Sequence, residues 1–295
     1  MKIKNLFSEK NVVFSLEVFP PKSTTPIENI YKTLDELKDL KPDYISVTYG
    51  AGGTSSGNKT CELSSLIKNK YNIEALAHLT CINSTKETIE NTLKNLKDNN
   101  IENVLALRGD IPLDQKPIGD YNYGFELVDY IKKHHDFSIA AACYPEGHTE
   151  SISLDKDIER LKQKVDCGTD YLISQLFFDN NLFYEFNDKI NKKNINVPIQ
   201  AGIMPVINKK QIERIVSLCG ASLPPKFIKI MNRYEHDKNA LRDAGIAYAV
   251  EQIVDLVSSG VKGIHLYTMN NPYVARKINE SIKSIIGSVN NDLAI

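Results

Sequence analysis

Glu17 stands in the stretch SLEVFPPKS (15–23), a lone carboxylate inside an apolar run that ends in two prolines. A carboxylate there is costly unless it is paired, hydrogen-bonded or kept protonated. One reading is a strand-mouth residue half in water; the other is a buried acid held for proton transfer. A second acid, Asp110, closes the triplet Arg108-Gly109-Asp110 after another apolar run. A third group sits on a helical pattern, where Asp157, Arg160 and Lys164 fall at i, i+3 and i+7 on one face. That face is either an ion-paired, solvated surface, or a pair of cations for a phosphate or pyrophosphate with an acid for a ribose hydroxyl.

The elements that must position these groups alternate along the chain. Strand-like runs at 12–19, 43–50, 73–81, 103–109, 138–145, 171–178, 198–203 and 263–269 are each followed by a helical pattern. Those patterns cover 27–40, 59–70, 85–99, 124–135, 153–167, 181–193, 208–219 and 273–286. In the fifth, Leu154, Ile158, Leu161 and Val165 form a single apolar stripe. Continuous apolar strands suit a parallel sheet covered on both faces. Eight strand–helix units in a chain of 295 residues predict an α/β fold, a (β/α)8 TIM barrel forming one catalytic domain over residues 1–295. A doubly wound sheet would be expected to open with a Gly-rich turn, and FPPKS is not one. The stretch 224–258, with a Pro-Pro start and a long helix from about 238, reads as a helical elaboration before the last strand.

In such a barrel the chemistry lies at the C-terminal ends of the strands. Glu17, Thr48, Tyr49, His78, Arg108, Tyr144, His148 and Gln175 all fall there, and this loading of one rim points to a large polar ligand. No metal is expected: strand one carries no H-x-H, and His78, His148 and His265 would have to assemble in space. Lys plus Arg number 36 against 37 Asp plus Glu, a balance that argues against nucleic acid. No run approaches the ~20 apolar residues of a membrane span, and MKIKNLFSEK lacks the apolar core of a signal peptide. Five scattered cysteines without a C-x-x-C pair read as buried thiols in a reducing cytoplasm.

The stretches SLEVFPPK, HLTC, LALRGD, YPEGH, KVDCGTDYLISQLFFD and GIMPV, in order from residue 15 to about 270, together resemble the bacterial-type, FAD-dependent methylenetetrahydrofolate reductases. The resemblance implies reduction of 5,10-methylenetetrahydrofolate to 5-methyltetrahydrofolate in one-carbon metabolism and methionine synthesis. It implies NAD(P)H as donor, FAD as cofactor, a ping-pong mechanism, a cytoplasmic homo-oligomer, and no regulatory domain of the kind larger eukaryotic relatives carry.

Carried over by position, Glu17 matches the acid that protonates folate N10, a task that calls for a raised pKa. Asp110 matches an acid beside the flavin and the pterin. Thr48, Tyr49, Ala51, His78, Arg108, Gly109, Asp110, Tyr123, Gly124, Tyr144, His148, Asp157, Arg160, Gln163 and Lys164 match FAD-binding positions. Gln175, Gln211 and Asn271 match substrate-binding ones. The chain departs from the enterobacterial pattern at four positions. Arg160 and Gln163 replace Asn and Arg, Ile215 replaces a Phe that packs on nicotinamide, and Asn271 replaces an Arg near the folate tail.

Overall fold

The structure, a computed structural model, describes residues 1–22, 24–49, 54–111 and 119–291, with the side chains of 54–58, 209–211, 214 and 215 outside that description. A short 3-10 turn and α1 (Leu6–Glu9) precede β1 (Val13–Val18). There follow α2 (Glu28–Leu37), β2 (Tyr44–Val47), α3 (Thr54–Ser65), β3 (Glu74–Thr80), α4 (Lys86–Asp98) and β4 (Asn103–Leu107). Next come α5 (Gly124–His134), β5 (Ser138–Cys143), α6 (Leu154–Asp166), β6 (Tyr171–Ser174), α7 (Asn180–Lys192) and β7 (Ile199–Ile203). The chain continues through α8 (Lys209–Cys219), α9 (Pro225–Tyr234), α10 (Lys238–Ser258), β8 (Gly263–Tyr267) and α11 (Pro272–Asn291). The strands pair in parallel in chain order and close β8 onto β1, the expected (β/α)8 barrel.

Alternation along each strand divides the core. Phe14, Leu16 and Val18 of β1 face outward and pack with helix stripes such as Ile30, Leu34 and Leu37 of α2. Val13, Ser15 and Glu17 take the opposite face, toward the lumen. Side-chain caps start several helices: Thr85 accepts from the Thr88 amide at 3.1 Å, and Ser153 from the Lys156 amide at 3.2 Å.

Two features depart from the sequence reading. The elaboration holds two helices, because Pro224 and Pro225 start α9 before α10 begins. The first residues form a plug: Ile3 and Leu6 are buried against Tyr44, Leu76, Leu105 and Tyr171 inside the N-terminal end of the barrel. The Ile3 amide donates to Asn103 Oδ1 at 2.7 Å and the Lys4 amide to Ser138 Oγ at 3.2 Å. Among the described residues no helix is long and apolar enough to cross a membrane. The five cysteines are free; Cys61, Cys81 and Cys143 are buried as expected, while Cys167 and Cys219 are only partly so.

Candidate active site

Glu17 lies at the mouth of the lumen, its side chain 17% exposed. One carboxylate oxygen, Oε2, gathers three groups: His265 Nε2 at 3.3 Å, His78 Nε2 at 3.4 Å and Ser46 Oγ at 3.4 Å. Register explains the gathering, since Glu17 sits opposite Ser46 on β2 and Tyr267 on β8, and Ser15 opposite His265. The turn after β8 clamps the end of β1. The Glu17 carbonyl accepts from Thr268 Oγ1 at 2.6 Å, and Asn270 Oδ1 and Nδ2 bond the Phe19 amide and carbonyl at 3.0 and 2.8 Å. Met269 and Asn270 both take left-handed φ values, 51° and 53°, to make that reach.

The electrostatics correct one expectation. Burial alone pushes the Glu17 carboxyl up, but the hydrogen bond from His265, the two imidazoles and the Ser46 hydroxyl outweigh it. The net direction is below the ordinary glutamate value, not above it. His78 is pulled down to about 4 by desolvation, so it is neutral at neutral pH. The hydrogen bond from His265 is the largest of the influences that lower Glu17.

His78 also sets a pH dependence of stability. The unfolded chain protonates this imidazole near 6.5 and the folded one only near 4, so the unfolded state binds the extra proton between those values. Stability is full above about pH 6.5 and declines by ~3 kcal/mol as pH falls toward 4. Urea unfolding at pH 7 and pH 5 is expected to show about 2 kcal/mol of that decline in the natural chain and a flatter profile in His78→Leu. Equal slopes in the two proteins would contradict it.

Around this centre the rim is polar. Arg108, after β4, donates Nη1 and Nη2 to Glu150 at 2.6 and 2.8 Å, a forked pair at the surface. Tyr144 and His148, after β5, meet edge to face at 4.8 Å, and Gly124 starts α5 against the Arg108 amide. On α6, Asp157 accepts from the His148 amide at 3.2 Å, and Lys164 turns Nζ onto the Ala142 carbonyl at 2.9 Å. Arg160 and Gln163 stay exposed on the same helix. The face thus has a half-buried acid and cation turned into the site side by side, rather than three surface charges. Burial raises the Asp157 carboxyl and lowers the Lys164 ammonium. Burial also pushes the Cys81 and Cys143 thiols up to about 12, which leaves both protonated and non-nucleophilic.

A family model described as methylenetetrahydrofolate reductase matches residues 2–283. The chain belongs to the methylenetetrahydrofolate reductase family. It is 35% identical to the 5,10-methylenetetrahydrofolate reductase of Buchnera aphidicola from Acyrthosiphon pisum, over 94% of this chain and 93% of that one. It is also 35% identical to methylenetetrahydrofolate reductase (NADH) 1 of Arabidopsis thaliana, over 91% of this chain. It spans about half the length of that plant reductase, matching 48% of it. A solved structure of an uncharacterized Clostridium thermocellum protein that binds two copies of 5-methyl-5,6,7,8-tetrahydrofolic acid shares the fold with a TM-score of 0.66 at 14% identity. That alignment covers 97% of this chain and 99% of the other.

The rim gathers cationic and polar groups, a donor set that fits a phosphate-bearing ligand. Arg108 follows β4 and Arg160 and Lys164 stand on α6; Lys164 and Arg160 both act on Asp157, and Arg108 and Lys164 on His148. Thr48, Tyr49, Gly109 and Tyr123 occupy the ends of β2 and β4 and the start of α5. Asp110 is exposed beside Arg108. Gln175, after β6, turns its Oε1 onto the Leu176 amide at 2.9 Å. Asn271 caps α11, its Oδ1 accepting from the Val274 amide at 3.2 Å. Ala51 lies outside the described residues; Gln211 sits in α8 with its side chain outside the description. Sequence reasoning missed Ser15 and Ser46, and weighed His265 only as a metal ligand. The one signal available was that Ser15 and Glu17, two apart, share a strand face.

Proposed function

We propose that the chain reduces 5,10-methylenetetrahydrofolate to 5-methyltetrahydrofolate with FAD as cofactor and NAD(P)H as donor, the two substrates using one site in turn. The observation that carries it is the Glu17 carboxyl in a lumen mouth lined by His78, Ser46 and His265, beneath a cationic rim, in a chain of this family. FAD, when bound, supplies the hydride it has taken from reduced nicotinamide. We read Arg108, Arg160 and Lys164 as its pyrophosphate cations and Asp157 as its ribose acceptor.

The chain's own part is proton management. Glu17 delivers a proton to folate N10 as the bond from N10 to the methylene carbon breaks, and that bond's electron pair stays on N10. The iminium left at N5 accepts hydride at the methylene carbon. Glu17 is a carboxylate in the ligand-free chain, so it must gain a proton first. A pterin that covers the lumen mouth excludes water and adds desolvation, the one influence on Glu17 that raises its pKa. We assign Asp110 and Gln175 to the pterin edge, and Gln211 and Asn271 to the remaining substrate contacts. We place the enzyme in the cytoplasm as a homo-oligomer and take residues 1–295 as its catalytic domain.

The FAD-loaded protein should bleach on anaerobic addition of NADH or NADPH, and chelator should leave that bleaching unchanged. Activity lost to chelator, in a protein that holds no flavin, would favour a metal-dependent barrel lyase instead. Lys164→Ala should raise the FAD dissociation constant by about tenfold, the loss of one charge-assisted contact. Flavin retained equally after dilution would return the α6 face to a structural role.

A further inference from the structure

Beneath the Glu17 centre a polar chain continues down the lumen. Gln200 of β7, fully buried, reaches across to β1 and β2: Nε2 lies 3.1 Å from Ser15 Oγ and 3.3 Å from the Val13 carbonyl, while Oε1 accepts from the Tyr44 hydroxyl. Space for this reach comes from Gly263. A Cβ there would stand 2.6 Å from Gln200 Cγ and 2.8 Å from the Val13 carbonyl oxygen.

The donor and acceptor roles follow from one fixed point. The Val13 carbonyl can only accept, so the amide end facing it is the NH2 group and the oxygen faces Tyr44. Ser15 Oγ is therefore an acceptor toward Gln200. Its single proton goes to His265 Nδ1 at 2.7 Å, which is much closer than the Ile264 carbonyl at 3.4 Å and a stronger acceptor than the Tyr44 hydroxyl that also reaches Ser15. Nδ1 then accepts, and the ring proton sits on Nε2, aimed at Glu17 Oε2.

We propose that Gln200 is a positioning residue that fixes the tautomer of His265, and through it keeps a hydrogen bond on Glu17. As an account of acid catalysis this rests on the folate-reduction reading above. Without Gln200, Ser15 Oγ no longer spends one of its two lone pairs on that donor and accepts more readily from Nδ1–H. His265 can then present a bare Nε2 to Glu17, and the carboxylate loses a donor. The other groups facing this pair are His78 of β3, Tyr44 and Ser46 of β2, and Tyr267 of β8, whose ring meets His265 edge to face at 5.2 Å. None of them contacts Nδ1, so none substitutes for Ser15.

The test uses FAD-loaded protein with 15N-labelled histidine, the His265 signal being the one absent from His265→Gln. The natural chain should show the Nε2–H tautomer. Gln200→Leu, or the unbranched Gln200→Met if Leu folds poorly, should raise the Nδ1–H population at least about tenfold, the worth of one hydrogen bond. In the same variants the alkaline limb of the folate half-reaction should move up by about one pH unit, while flavin reduction by nicotinamide keeps its profile. An Nδ1–H ring in the natural chain, or a tautomer and pH limb unmoved in both variants, would overturn the proposal. A tautomer that shifts as expected in a protein that reduces no folate would overturn the catalytic reading while leaving Gln200's control of His265 intact.

Discussion

Glu17→Gln is expected to lower folate reduction by about 10^2–10^4-fold, the range of a lost general acid, while leaving flavin reduction by nicotinamide within about twofold. The amide is nearly the same size and can still accept from His265 and Ser46 at the positions Oε2 now occupies, 3.3 and 3.4 Å away. What it cannot do is give a proton to N10. The two half-reactions separate because only one requires an acid. Rapid-mixing absorbance of each half-reaction checks this, and equal loss in both would remove Glu17 from the acid role.

Gly245→Ala is expected to destabilise the chain by about 3 kcal/mol, at the upper end for a crowded core. A Cβ at 245 would stand 1.7 Å from the Val206 carbonyl oxygen, a backbone atom that cannot swing aside. The site of the clash is where α10 crosses the loop after β7, inside the cluster of Leu176, Phe178, Val206, Phe227 and Leu241. That cluster joins the elaboration to the barrel and carries the start of α8. Calorimetry should find the melting midpoint lower by about 5–10 °C. A midpoint within about 1 °C of the natural chain would mean that α10 does not press on this loop as closely as described.

The eight strand–helix units were legible because each buried strand is a short apolar run and each helix keeps a stripe such as Leu154, Ile158, Leu161 and Val165. The plug was not, since Ile3 and Leu6 are only two apolar contacts whose worth depends on the lumen above them. At the site, the sequence exposed the cost of burying Glu17 but not its partners. Ser46, His78 and His265 come from three strands, and their convergence on one oxygen is set by barrel register, which no local pattern encodes. That is why desolvation alone predicted a raised pKa and the folded structure reverses the sign. Asn271, a substrate contact by position, also caps α11 through Oδ1, a duty visible only once the helix start is placed.

The most direct test of flavin-dependent folate reduction is a two-step anaerobic titration of the FAD-loaded protein. Enough NADH is added to bleach the visible flavin band, and 5,10-methylenetetrahydrofolate follows. The account predicts that the oxidised flavin band returns in proportion to the folate added, with 5-methyltetrahydrofolate formed in equal amount. A flavin that NADH bleaches but the folate leaves bleached, with no methyl product, would contradict it.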